Sequence, residues 1–291
     1  VKKRAKKAGM QTMAAWFYLA LIFILTIAAY FPTLTSMKFY IDDNDPASYV
    51  VVVLPIFFIF LIFFYMKELE VERDLSKFLI AFILVGSAIT IYLQGQIHPS
   101  WSAYKLDLLS IPFFVSGAMV IFFGIESAKR LKFILLYLFL IWPLIFYPIY
   151  PLQQFATDLT ADVANVFIKL MGLPIERIQG NIFTSGERVP LEIAPTCVAL
   201  GAFLGLFALL LPFLNSLTGE TKNKIKWIAS GIILVWLLNL IRIIVIILLW
   251  YYSGLEEALY VFHNFGGNLI FDVSLVISLL SFKLFRLELK F

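Results

Sequence analysis

Long apolar runs separated by mostly short polar connections set the pattern of the chain. Runs at or near the ~20 residues that cross a hydrocarbon core as a helix fall at 13–31, 48–66, 78–94, 109–125, 133–150, 196–215, 227–249 and 266–282. Buried backbone polar groups leave a helix as the simplest way across, so the pattern predicts an all-α polytopic membrane protein of about eight transmembrane helices. Pro143 and Pro148 are expected to bend the fifth.

One connection stands apart by its length. Residues 151–195 exceed the usual length of a structureless loop, roughly 12–15 residues. Within them ADVANVFIKLMGL spaces Val163, Val166, Phe167, Leu170 and Met171 at helical intervals, which predicts an amphipathic helix lying along a surface. The following GNIFTSGERVPLEIAP mixes β-branched residues with glycine and proline, and reads as a short hairpin or re-entrant cover. The segment is expected to cap the outer face of the bundle, as a lid or as plain packing over its mouth.

Composition agrees with the pattern: 62% hydrophobic and 14% charged, against about 25% charged in soluble domains. The net charge of +4 matters less than its distribution. Seventeen of the 23 lysines and arginines lie at the two ends and in alternate connections, five lie in the other connections, and the last, Arg242, is inside a run. The positive-inside rule then puts both ends and the basic connections in the cytoplasm, and 151–195 outside the cell membrane. The first run reads as the first span and not as a cleaved leader. This divides the chain into a basic cytoplasmic tail (1–12), a five-span region (13–150), the extracytoplasmic segment (151–195), a three-span region (196–282) and a cytoplasmic tail (283–291).

With that topology, a few polar residues become conspicuous. Ionisable groups inside a span are costly and usually face the protein interior. Arg242 is expected about 22.5 Å into a core about 30 Å thick, hence in its outer half, with Asn239 one turn below on the same face. Asp272 is expected about 9 Å below the outer boundary and is a candidate ion-pair partner for Arg242. His263 precedes the last run on the outer side. Cys197, in EIAPTCVALG, is the sole cysteine and sits at the outer start of the sixth run. A single thiol excludes an intrachain disulfide and any site that needs two thiolates.

Cysteine, histidine and arginine at one depth supply what thiol chemistry requires. The thiolate is the nucleophile, a histidine takes its proton, and a nearby cation stabilises it. Arginine in a low-dielectric cleft also donates to the oxyanion that forms when an amide is attacked. Each residue has a plainer use: cysteine as small packing, histidine as an interfacial anchor, arginine in an ion pair. Glu192 is a candidate to orient His263, or a solvated interfacial carboxylate. No phosphate-binding glycine loop, HExxH or CxxC is present, and no metal or cofactor is expected. Nucleic acid is not expected as a partner, because the basic residues lack interleaved aromatics.

Cysteine at the outer start of one span, N-x-x-R in the next (Asn239 to Arg242) and an outer histidine before the last resemble the exosortase and archaeosortase family. The resemblance covers roughly 150–282 and implies a membrane cysteine transpeptidase or protease. In that family the cysteine, arginine and histidine, here Cys197, Arg242 and His263, form the proposed catalytic triad. Substrates implied are exported proteins with a C-terminal motif, a transmembrane helix and a basic cluster. The product would be joined to a lipid or cell-envelope acceptor. Family members commonly have glycine two residues after the cysteine, whereas here Gly201 comes four after Cys197. Two other functions fit the residues: a transporter or channel using Arg242 and Asp272 for anion or proton binding, and a non-catalytic envelope-assembly subunit.

Overall fold

A computed structural model describes residues 2–37, 46–71, 78–98, 104–149, 151–178, 180–198 and 200–290, with side chains at all of these except 2–11, 46, 196, 198 and 261–269. Helix α1 (Lys2–Ala29) leads into a second helical stretch, Ala47–Glu68, built around α2 (Val50–Phe60). Helices α3 (Phe78–Ile97) and α4 (Leu106–Arg130) then pack along one another. Gly117 of α4 permits their close approach, since a Cβ there would lie 2.7 Å from Val85 Cγ2. The opposite side of α3 carries exposed Phe78, Leu79, Phe82, Ile83 and Leu93, the surface a helix presents to lipid tails.

Residues Lys132–Ile141 and Pro143–Ile149 form two helical pieces bent by 74°. The break is at Trp142, whose backbone is extended (φ −87°, ψ 109°). Proline ring atoms disfavour the helical region for the preceding residue, so Pro143 produces the bend expected of it.

Helix α5 (Leu152–Leu170) starts nine residues before the stretch that the apolar spacing marked out. Its buried face is Thr157, Thr160, Ala161, Ala164 and Ile168, whereas Val166, Phe167, Leu170 and Met171 are exposed. The expected apolar face, Val163 excepted, is therefore the outward one. Small side chains let backbones approach within the membrane, while large ones are equally at ease against lipid.

After α5 come three short strands, β1 (Glu176–Arg177), β2 (Ile182–Thr184) and β3 (Leu191–Glu192), in one antiparallel sheet of order β1-β2-β3. The chain then turns through Pro195–Val198 into α6 (Leu200–Leu210). A two-stranded ladder joins β4 (Leu217–Thr218) to β5 (Glu288–Leu289), bracketing α7 (Thr221–Tyr252) and α8 (Leu255–Ser281). These two form a helical hairpin closed at Ser253–Gly254, where Gly254 has φ +120°, a conformation that only glycine adopts readily. Far from that turn, Trp227 Nε1 donates to the Ser278 carbonyl at 2.8 Å, fixing the antiparallel register.

Five helical stretches among the described residues are long and apolar enough to cross a membrane: Thr12–Ala29, Ala47–Glu68, Phe78–Ile97, Leu106–Arg130 and Thr221–Tyr252. The bent pair at 132–149 makes six if counted as one span. The protein is thus a helical multi-pass membrane protein. Of the eight runs expected, 196–215 contains the shorter α6, and 266–282 is the second half of α8.

Candidate active site

The sheet sits over the end of the bundle where α7 turns into α8. Trp250 Nε1 donates to the Val189 carbonyl at 2.9 Å, and Arg188 Nη1 donates to the Trp250 carbonyl at 3.3 Å. Beneath it, Phe183, Leu191 and Ile193 of the sheet join Ala161, Ala164 and Ile168 of α5 and Ile243, Ile246 and Ile247 of α7 in one apolar cluster. A polar clamp binds α5 to the sheet on the outside. Arg177 bonds Asp162 and donates to Asn181 Oδ1 at 3.1 Å, and Asn181 Nδ2 donates to Asp158 Oδ1 at 3.1 Å. These contacts make the strands and α5 one support for the turn that carries Cys197.

In that turn the Cys197 N–H donates to the Ala194 carbonyl at 2.8 Å, closing the loop Pro195–Val198. Two carboxamides hold it from opposite helices. Gln153 Nε2 of α5 donates to the Pro195 carbonyl at 2.9 Å, and Asn239 Nδ2 of α7 donates to the Cys197 carbonyl at 3.1 Å. Cys197 is half-buried, with its side chain against the apolar cluster.

Asn239 is fully buried and has a second task. Its Oδ1 accepts from Arg242 Nη1 at 3.3 Å, one turn along α7. One side chain therefore fixes both the backbone of the cysteine and the guanidinium of the arginine. Arg242 is half-buried, and Asn239 links it to the turn that carries Cys197.

The side chain of His263 lies outside the described residues, but its backbone belongs to α8. Arg242 is ten residues before the end of α7, about 15 Å of helical rise, and His263 is eight residues after the start of α8, about 12 Å. The hairpin thus brings the His263 backbone level with Arg242 to within one turn.

Asp272 and Glu192 are not gathered in. Asp272 lies seventeen residues into α8, about 25 Å from the hairpin turn, and is exposed. Its expected level assumed a last helix starting at 266, whereas α8 begins at Leu255, so Asp272 lies about 10 Å further along the hairpin than Arg242. Among the described residues no ion pair joins the two. Glu192 is exposed on β3, with its carboxylate away from the apolar cluster. Among the described residues no three His, Cys, Asp or Glu side chains gather where a metal ion would be held.

Gln153 is a residue the sequence did not single out. It sits before the amphipathic stretch, and nothing in its neighbours marks a contact 42 residues away.

Residues 41–280 match the family model described as transmembrane exosortase. The chain belongs to that family. The match spans more than four fifths of the chain, so it leaves out α1 but takes in α2, α3 and α4 as well as the region that carries the cysteine, arginine and histidine. No curated protein and no solved structure matches the chain. As an exosortase, the protein has a membrane enzyme's role in the sorting of exported proteins.

Proposed function

We propose that this exosortase is a cysteine transpeptidase or protease that cuts exported proteins near a C-terminal sorting signal, with Cys197 as nucleophile. The observation that carries the reading is Asn239, whose amide donates to the Cys197 carbonyl and whose oxygen accepts from Arg242. A buried carboxamide spent on aligning a thiol-bearing turn with a guanidinium is a positioning device.

In the proposed cycle His263 takes the thiol proton, and the thiolate attacks the scissile carbonyl carbon. Negative charge develops on the carbonyl oxygen, where the Arg242 guanidinium donates hydrogen bonds. The C–N bond breaks, His263 protonates the leaving amine, and the substrate's new carboxyl end is held as a thioester on Sγ. An amine or hydroxyl of a lipid or envelope acceptor then attacks the thioester, giving its proton to His263, and the thiolate leaves and takes that proton back; with water as acceptor the outcome is hydrolysis. The Cys197 N–H is already bonded to Ala194, so in this scheme the oxyanion is served by the arginine and not by that N–H.

The fold around this chemistry is proposed to be eight spans, with α6 and α8 completing the six long ones. The sheet lies on the extracytoplasmic side, α5 lies along the outer membrane surface with its large apolar side chains against lipid, and the region 196–282 is the catalytic part. A substrate tethered by its own transmembrane helix would slide against the bundle and present its motif at the level of Cys197, with its basic cluster in the cytoplasm.

The test is processing of a co-expressed reporter that ends in a sorting motif, an apolar helix and a basic cluster. Cys197→Ala and Cys197→Ser are expected to abolish processing, by about 10³-fold or more, while the protein still inserts at wild-type abundance. Unchanged processing in Cys197→Ala would sink the nucleophile assignment. A carrier would behave differently, losing flux on Arg242 or Asp272 substitution and tolerating Cys197→Ala.

A further inference from the structure

The register of the sheet singles out one backbone position next to the cysteine turn. In the β2–β3 pairing Ile182 faces Glu192 and Phe183 faces Leu191, and the Ile193 N–H donates to the Asn181 carbonyl at 2.9 Å. Bonded and non-bonded pairs alternate in an antiparallel ladder. Leu191 and Ile193 therefore turn their N–H and C=O groups toward β2, and Glu192, between them, turns its own away.

That outward side is a sheet edge. The strand order ends at β3, Glu192 is exposed, and no described element other than β2 packs along β3 beyond slight contact. The buried side chains of Leu191 and Ile193 anchor the strand to α7 through the shared apolar cluster. Upstream, Pro190 has no N–H to offer, and downstream the Ala194 carbonyl is taken by the Cys197 N–H. The open edge is thus short, centred on Glu192, and joined through the pinned Pro195–Val198 turn to the thiol five residues on.

We infer that an extended segment of the substrate pairs with this edge of β3 as a fourth strand, which delivers its scissile bond to Cys197. The inference rests on the protease reading above. β3 runs toward the bundle, because the chain passes from it through the turn into α6. A substrate that ends in a transmembrane helix runs toward the bundle as well, so the pairing is parallel. In a parallel ladder the Glu192 N–H donates to one substrate carbonyl, and its C=O accepts from the N–H two residues further on. Recognition through main-chain groups tolerates varied side chains, and cleavage falls a few residues C-terminal to the paired one.

Glu192→Pro tests this directly, because it removes the outward N–H and leaves the ladder bonds of Leu191 and Ile193 in place. The assay uses the full chain in lipid vesicles and a reporter ending in the motif, apolar helix and basic cluster of an exported protein from the same organism. The expected result is a KM raised about tenfold, with kcat changed far less, and a smaller loss for Glu192→Ala, which keeps the N–H. A wild-type KM in Glu192→Pro overturns the inference. Equal losses in the two variants assign the effect to the carboxylate and overturn it too. Single backbone N-methyl groups along the reporter give the same answer with unaltered protein: one blocking position is expected, and uniform tolerance overturns the strand. Processing that persists in Cys197→Ala instead removes the protease reading itself.

Discussion

Asn239 is the residue on which the site turns, since it serves the Cys197 carbonyl and the Arg242 guanidinium at once. Asn239→Ala removes one donor from the Cys197 carbonyl and one acceptor from the arginine. A loss of about 0.5–1.5 kcal/mol in stability is expected for each hydrogen bond lost. Processing should fall further than that loss explains, with kcat reduced more than KM is raised. Thermal unfolding in detergent and steady-state kinetics on the same preparation separate the two effects. Arg242→Lys keeps the charge but not the planar fork. It should restore little of the rate, and near-wild-type kcat in that variant would remove the guanidinium from the proposed role. Asn239 and Arg242 could be paired from the sequence, because i and i+3 share a helix face. Gln153 could not, because its bond to the Pro195 carbonyl depends on where α5 docks.

At the scale of elements, helix existence was readable and helix orientation was not. The helical period in 161–171 pointed to an amphipathic helix, and α5 is there, but the face turned to the protein is the one with threonine and alanine. In water the larger apolar side chains would be driven inward; in a bilayer lipid removes that preference. The same logic makes glycine the tightest contact between α3 and α4. Gly117→Leu is expected to destabilise the pair by about 1–3 kcal/mol through overpacking, because the added atoms meet Val85 side chain and backbone. Gly86→Ala, on a site with nothing within 4 Å, should leave folding unchanged. Fluorescence-detected size-exclusion profiles against temperature compare the two, and equal behaviour would refute the close approach. Pro143 marks the opposite case, where a local rule carried through: a pre-proline residue leaves the helical region, and the bend at Trp142 results.

For the whole molecule, the single thiol makes the topology of its own turn testable in the unaltered chain. Cys197 is expected to react with a membrane-impermeant maleimide added outside intact cells. A cysteine introduced by Lys290→Cys in the Cys197→Ala chain should react only after the membrane is opened. Labelling of Cys197 solely after permeabilisation would reverse the proposed orientation. The sequence by itself determined the membrane class, the apolar segments, the asymmetry of basic charge and the resemblance that the family match bears out, because each is a property of composition, run length or spacing along the chain. Only the tertiary structure decided that the α7–α8 hairpin sets the His263 backbone level with Arg242 and leaves Asp272 about 10 Å further along. It also decided that Gln153 and Asn239 grip one turn from two helices, and that Glu192 turns its backbone outward. The reason is physical: these depend on helix start points, docking and strand register, which arise from contacts between segments far apart in the chain.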